Sequence, residues 1–253
     1  IVNNILYATG SFTVAGVINA NHIAKWNGSV WDSIGNGVPN FTSAAHAFDM
    51  YNGELVFVGT IFHPWQSQIA KWNGTGWDSI GSNFRDNFHG IKVLNNELYA
   101  YGEFAYKNGT YYNSIAKWNG TDWVSLGFSY QLDGQPAIIA CLAMYYGELY
   151  AGGIFTDSVG GPTENIAKYD GTSWSIVGGG IHGNMDAVDV MEVYNDELYI
   201  GGTFQTSSGN ISNGIVKWNG SGTLQDVGGG ITSTFQAQID DLLVFDNKLF
   251  AVG

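Results

Sequence analysis

The amino-acid sequence repeats itself about every 50 residues, and no other feature constrains its fold as strongly. One motif, ELYxxGxF, occurs six times, the last copy being cut off. The glycine at its sixth position is Gly10, Gly59, Gly102, Gly153, Gly202 and Gly253 in the successive copies. These glycines are spaced by 49, 43, 51, 49 and 51 residues. A second motif, IAKWNGxxW, alternates with it at Ile23–Trp31, Ile69–Trp77, Ile115–Trp123, Ile166–Trp174 and, degraded, from Ile215. Such a chain is expected to stack copies of one supersecondary unit.

Each repeat predicts four short strands. Around residue 190 these are Val188–Tyr194, Glu197–Phe204, Ile215–Trp218 and a fourth strand ending near Val227. Asn-Asp and Asn-Gly pairs, which favour tight turns, separate the first strand from the second and the third from the fourth. Four antiparallel strands per repeat predict an all-β chain, a β-propeller with one blade per repeat.

The predicted repeats cover residues 1–44, 45–88, 89–137, 138–186 and 187–237, with a partial copy at 238–253. Strand two is therefore present six times, but strands three and four only five times. We expect a single propeller domain that is a segment of a ring of six or seven blades. The alternative is a five-bladed ring with one redundant terminal hairpin.

The two motifs together, LYxGGxF followed by IAKWNGxxWxxLG, resemble the kelch-type repeats of the galactose-oxidase superfamily. They are more similar still to repeats of fungal cortical-marker polarity proteins and of large secreted bacterial surface proteins. The resemblance covers nearly the whole chain and implies the propeller architecture. It leaves activity open, because function resides in sites carried by a fold.

Most of the conspicuous side chains are predicted to be scaffold. Eight of the nine tryptophans occupy two positions of the second motif, where they are expected to pair across the hairpin of strands three and four. A recurring glutamate is expected to pair with a recurring lysine across strands. The glutamates are Glu54, Glu97, Glu148 and Glu197, and the lysines are Lys25, Lys71, Lys117, Lys168 and Lys217.

Function is expected on the side of the blades that carries the longer connections, because binding residues concentrate on loops held by a rigid scaffold. Between strands two and three these loops are Thr13–Asn21, His63–Gln68, Ala105–Ser114, Thr156–Asn165 and Gln205–Gly214. Between blades they are Asn36–Ala45, Ser82–Phe88, Phe128–Ile138, Gly179–Asp186 and Gly229–Gln238. Their candidate ligand-binding aromatic residues are Trp65, Tyr106, Tyr111, Tyr112, Phe128 and Tyr130. They suit a glycan or a protein surface, and packing beneath the loops explains them about as well.

A second candidate site is a ring at the mouth of the central channel. Nine residues before the leucine of strand two, the repeats have His46, His89, Ala140, Asp189 and Asp240. Imidazole and carboxylate groups are common metal ligands, so these positions could hold a metal ion. Water-filled channels are commonly lined by such residues without any ion, and that interpretation is favoured over a metal site. No other cofactor is indicated.

Charge excludes one class of partner. The net charge is −13 with nine Lys and Arg residues, whereas nucleic-acid binding requires many cations to neutralise phosphates. No apolar segment approaches the length of a membrane span. The resemblance to secreted surface proteins, together with the acidic charge and the single cysteine, implies part of a longer polypeptide at the cell surface or outside the cell. Its expected partner is a protein or a glycan.

The residues required by known propeller enzymes are missing. Sialidases hold their substrate with three arginines, and this chain has only Arg85. Copper oxidases use a Tyr–Cys cross-link, but Cys141 lies in an apolar segment predicted to be core. The sequence favours a non-catalytic binding module. A glycan hydrolase with carboxylates at the channel mouth, and a structural spacer in a surface adhesin, are the alternatives.

Overall fold

The computed structural model describes residues 5–38, 41–61, 66–81, 87–104, 106–107, 110–111, 113–132, 135–156, 164–182, 187–207, 210–232 and 237–253. This part of the chain consists of β-strands and turns, without a helix. It forms two compact units, residues 1–126 and 127–253.

The first unit contains fifteen strands in its described residues. They are β1 (Leu6–Thr9), β2 (Val14–Ala15), β3 (Ile18–Asn19), β4 (Ile23–Trp26), β5 (Trp31–Ser33), β6 (Phe41–Tyr51), β7 (Glu54–Ile61), β8 (Gln66–Trp72), β9 (Trp77–Ser79), β10 (Asn87–Leu94), β11 (Glu97–Glu103), β12 (Tyr106–Lys107), β13 (Thr110–Tyr111), β14 (Ile115–Trp118) and β15 (Trp123–Ser125). The sheets have the orders β1-β4-β5, β6-β7-β8-β9 and β10-β11-β14-β15. Two ribbons, β2-β3 and β12-β13, lie within the connections between strands two and three.

The second unit continues the pattern. Its strands are β16 (Gln131–Leu132), β17 (Gln135–Pro136), β18 (Ile138–Tyr145), β19 (Glu148–Ile154), β20 (Ile166–Tyr169), β21 (Trp174–Ile176), β22 (Ala187–Tyr194), β23 (Glu197–Thr203), β24 (Thr206–Ser207), β25 (Asn210–Ile211), β26 (Ile215–Trp218), β27 (Gln225–Asp226), β28 (Asp241–Phe245) and β29 (Lys248–Val252). Two sheets have four strands, β18-β19-β20-β21 and β22-β23-β26-β27, and β28-β29 is a hairpin. The ribbons β16-β17 and β24-β25 lie in connections.

The predicted four-stranded antiparallel sheets are confirmed, and neighbouring strands of each sheet are consecutive strands of the repeat. Each four-stranded sheet therefore has its two short turns at one end, which we call the turn side, and its longer connections at the other, the loop side. The connections are more regular than the sequence predicts. The segment Gln205–Gly214 contains the ribbon β24-β25, and Gln66–Gln68 belong to β8 rather than to a loop.

The turn between strands one and two is a two-residue hairpin. Asn195 and Asp196 have φ angles of 49° and 60°, and positive φ at both residues is the signature of a type I′ turn. Asparagine, aspartate and glycine tolerate this conformation, which accounts for their recurrence here. Tyr146 occupies the same position with a φ of 48° and is 71% exposed.

The connection between strands three and four differs from its prediction. The expected two-residue turn is a four-residue loop, such as 73–76. Of these four residues only Gly74 has a positive φ, 97°. Asn73 acts through its side chain instead: Oδ1 accepts hydrogen bonds from the backbone N–H groups of Thr75 at 2.9 Å and Gly76 at 2.8 Å. Asp170 holds the corresponding loop in the same way. The asparagine is therefore a side-chain cap of the loop.

The tryptophans pack as predicted. Trp118 and Trp123 are register partners across β14 and β15, with ring centroids 5.4 Å apart. Trp123 is 2% exposed, and its Nε1 donates to the backbone oxygen of Ile80, which follows the last strand of the preceding sheet, at 3.1 Å. Trp77 likewise donates to the backbone oxygen of Gly37 at 3.0 Å. Each of these rings joins successive sheets of the first unit.

The cores lie between successive sheets. In the first unit one buried cluster joins β7 and β8 to the next sheet, and it includes Val56, Val58, Phe88, Leu98, Phe104 and Trp123. In the second unit a cluster joins β18–β20 to the next sheet, and it includes Cys141, Tyr150, Val188, Met191, Phe204 and Trp218. Burial of apolar area between sheets is the main stabilising contribution of such an architecture. Cys141 is buried there, as the sequence predicts.

The predicted glutamate–lysine pairs form in four repeats. Lys71 contacts Glu54 at 2.8 Å, and Lys168 contacts Glu148 and Lys217 contacts Glu197 at the same distance. Lys117 pairs with Glu97. These pairs are partly exposed, so solvent screens them and each is expected to contribute little to stability.

Candidate functional site

A β-bulge in strand one positions the residues of the predicted channel-mouth ring. The register of strand one against strand two skips one residue in each of four sheets. The skipped residues are His46, His89, Ala140 and Asp189. A bulged residue has no partner across the ladder, and bulges often redirect side chains near functional sites. The spacing found in the sequence therefore corresponds to a specific backbone feature.

The repeat glycine is a consequence of this bulge. A Cβ added to Gly202 would lie 2.1 Å from the backbone oxygen of Ala187, and one added to Gly153 would lie 1.9 Å from that of Ile138. Gly253 stands in the same relation to Gln238, at 1.9 Å. Only glycine fits where strand two passes this close to the bulge. The residue that marks the repeat and the candidate ring are therefore parts of one local structure.

One carboxyl of the predicted ring, that of Asp189, has a shifted pKa in the second unit. Asp189 is half-buried, and Thr203 donates its hydroxyl proton to Asp189 Oδ2 at 3.2 Å. Burial raises the pKa of the Asp189 carboxyl, Thr203 opposes this, and the charge of Asp240 raises the pKa further. Asp240 is exposed and accepts a hydrogen bond from Gln238 Nε2 at 2.6 Å. The second unit thus holds one carboxyl that takes up a proton more readily than usual, that of Asp189, and one that is open to solvent, that of Asp240.

This pair predicts a pH-dependent stability. The folded protein raises the pKa of Asp189 above its ordinary value of 3.8. The contribution of this carboxyl to the stability of the fold is therefore complete below pH 3.8 and is lost as the pH rises through the raised pKa. We expect Asp189→Asn to raise the melting temperature at neutral pH and to change it little below pH 3.8. Thermal unfolding at both pH values checks this, with the exposed turn variant Asp196→Asn as the control. An increase in melting temperature that is equal at the two pH values would contradict this prediction.

The predicted metal site is not assembled within the described residues, where no group of three or more His, Cys, Asp or Glu side chains could hold a metal ion. His89 is exposed in the first unit. The backbone of His46 lies in β6, but its side chain is outside the described residues.

Two of the predicted loop aromatics are brought together on the loop side of the first unit. Tyr106 in β12 and Tyr111 in β13 are register partners of the same two-stranded ribbon. Opposed positions of an antiparallel pair are neighbours across the strands. The ribbon therefore places two aromatic residues at one point, although they are separated by four residues in the chain. Their side chains, and Tyr112 and Trp65 altogether, lie outside the described residues.

Tyr130 takes part in packing in the second unit. Its ring is stacked on that of Phe155 with centroids 5.6 Å apart, and it meets the edge of Phe128 at 5.1 Å. Phe128 is fully buried and also contacts Trp174. The sequence left open whether these loop aromatics bind a ligand or pack beneath the loop, and Phe128 packs beneath the loop. Tyr130 remains half-exposed beside it.

The comparisons with known proteins concern the fold. No family model matches the sequence, and no curated protein matches it. Among solved structures, the chain is similar to the extracellular domain of a putative one-component system from B. thetaiotaomicron, with a TM-score of 0.63 and 9% identity over 97% of this chain. The chain spans 31% of that protein.

Two further structures show weaker similarity. One is the computationally designed protein Ika8, with a TM-score of 0.45 and 13% identity over 96% of this chain and 93% of that one. The other is an acylaminoacyl peptidase from Pyrococcus horikoshii, with a TM-score of 0.42 and 10% identity over 71% of this chain and 26% of that one. Among the described residues of the present chain, no helix is long and apolar enough to cross a membrane.

Proposed function

We propose that this chain is a non-catalytic extracellular β-propeller module that binds a glycan or a protein surface through its loop side. The four-stranded sheets are the blades, and burial between successive sheets within each unit supports this architecture. The register pair Tyr106 and Tyr111 carries the binding proposal, because it concentrates aromatic residues on a ribbon that the blade itself does not need. An extracellular location agrees with the similar domain of the one-component system.

Binding to a glycan array, followed by titration of the best ligand, tests this proposal. Tyr106→Ala and Tyr111→Ala are each expected to weaken binding at least about tenfold, as is typical for aromatic residues at the centre of an interface. Trp65→Ala is a third loop-side variant. Tyr146→Ala is the matched control, because Tyr146 is an exposed tyrosine on the turn side. A ligand whose affinity survives all three loop-side substitutions would show that the loop side is not the binding surface.

The second candidate function is glycan hydrolysis, and the carboxylates Asp189 and Asp240 favour it. General acid–base catalysis uses one carboxyl with a raised pKa and a second, ionised carboxylate, and the charge of the exposed Asp240 contributes to the raised pKa of Asp189. Turnover of a polysaccharide that is abolished by both Asp189→Asn and Asp240→Asn would establish this function in place of the first. Binding without turnover would support the module.

A further inference from the structure

A cavity of about 350 Å³ lies on the turn side of the first unit, between the sheet β1-β4-β5 and the sheet β6-β7-β8-β9. Its lining includes Tyr7, Lys25, Met50, Glu54, Trp72 and Asn73. A volume of a few hundred cubic ångströms with aromatic walls and a few polar groups is typical of small-molecule sites. None of these residues belongs to the loop-side surface proposed above.

Lys25 departs from the ion-pair rule of the repeat. In the other four repeats the lysine is paired in register with a residue of strand two. The glutamate that forms the ion pair lies two residues before that register partner. For Lys71, the register partner is Val56 and the glutamate is Glu54. The register partner of Lys25 is Tyr7, and the residue two positions before it is Ile5. No ion pair or hydrogen bond joins the Lys25 ammonium group to the rest of the described chain. Among the described residues, Lys25 therefore lacks the glutamate partner that the other four lysines have, and its register partner on β5 is Asp32.

The corresponding place in the second unit is closed. There Trp218 Nε1 donates to Tyr150 Oη at 3.2 Å, and the two residues are 5% and 1% exposed. The equivalent residues at the cavity are Trp72 and Tyr7, both half-buried. In the described structure neither Trp72 Nε1 nor Tyr7 Oη has a hydrogen-bond partner. The two polar groups that bond to each other in the second unit are thus available to a ligand at the cavity.

We propose that this cavity binds a sugar acid, a ring of monosaccharide size that carries one carboxylate. The carboxylate pairs with Lys25 through a charge-assisted hydrogen bond. The ring lies against Trp72, and its hydroxyl groups meet Trp72 Nε1 and Tyr7 Oη. The charge of Glu54 is compensated by Lys71 at 2.8 Å. A single ammonium group suits one carboxylate better than a phosphate, which is usually held by several cations or by arginine.

Calorimetric titration with glucuronate and with glucose tests the proposal, because the two sugars share the ring and differ in the carboxylate. We expect glucuronate to bind with a dissociation constant of about 1 mM and glucose to bind at least about tenfold more weakly, as befits loss of a charge-assisted contact. Lys25→Met is expected to remove this preference. Lys117→Met is the matched control, because Lys117 occupies the same repeat position and is paired with Glu97; it should leave binding unchanged.

A second variant uses the partner that the repeat itself provides. Ile5→Glu places a carboxylate where the other four repeats have one, and it is expected to abolish glucuronate binding while the melting temperature is kept or raised. Equal affinity for glucose and glucuronate, absence of binding at about ten times the expected dissociation constant, or unchanged binding in Lys25→Met would each overturn the proposal. Tyr106→Ala and Tyr111→Ala should not affect glucuronate binding, so failure of this site and failure of the loop-side function are distinguishable.

Discussion

Gly202→Ala is expected to destabilise the protein by about 3 kcal/mol or more, at the upper end of the cost of overpacking. The new Cβ would lie 2.1 Å from the backbone oxygen of Ala187 and 3.0 Å from the backbone nitrogen of Asp189. Both atoms belong to the bulged backbone, which cannot rotate away as a flexible side chain can. The loss is measured as the change in free energy of unfolding from urea titration.

Gly76→Ala is the control for this experiment. A Cβ at Gly76 would meet nothing within 4 Å, and its φ lies outside the left-handed region. The substitution is expected to change the free energy of unfolding by no more than about 0.5 kcal/mol, as for most surface positions. Gly153→Ala, which repeats the clash in another sheet, should behave like Gly202→Ala. Similar losses in Gly76→Ala and Gly202→Ala would mean that the bulge does not require the glycine.

Trp123→Ala is expected to cost about 3–5 kcal/mol, the usual range for removing a large buried aromatic side chain. The substitution leaves a cavity between two sheets, removes the ring contact with Trp118, and deprives the backbone oxygen of Ile80 of its donor. Urea unfolding measures the effect.

Trp31→Ala tests whether the stability loss in Trp123→Ala comes from the repeat position or from contact with the preceding sheet. Trp31 occupies the same repeat position and contacts Trp26 at the same centroid distance of 5.4 Å. It is only half-buried, and its indole N–H donates to no other described residue. We expect a loss of about 1 kcal/mol, in proportion to its smaller buried area. Equal losses for the two tryptophans would show that contact with the preceding sheet adds nothing.

The sequence predicts the repeated parts of the structure well, because they depend on local chemistry. The four strands of each sheet, the type I′ turns and the tryptophan pairs follow from alternating apolar residues, from residues that tolerate positive φ and from motif spacing. The ion pairs follow from the recurrence of Glu and Lys. The repeat even locates the exception, Ile5 beside Lys25, once the register is known.

What the sequence could not predict depends on register between strands. The bulge at Asp189 is one extra residue of strand one relative to strand two, and counting residues in one strand cannot detect it. The pairing of Tyr106 with Tyr111 likewise requires the ribbon register. The prediction of a two-residue turn between strands three and four was wrong, because the Asn73 side chain caps a four-residue loop there. The motif glycine of strand two lies against the bulge of strand one, and its recurrence in the sequence was a signal from which the bulge could have been recognised.

The hydrogen bond from Trp123 to the backbone of Ile80 has a direction along the chain. The donor belongs to the later repeat and the acceptor to the earlier one, as for Trp77 and Gly37. During synthesis from the N-terminus, the acceptor is therefore already present when each of these tryptophans leaves the ribosome. Because domains generally fold as units during translation, such a chain can add one sheet at a time to a completed surface.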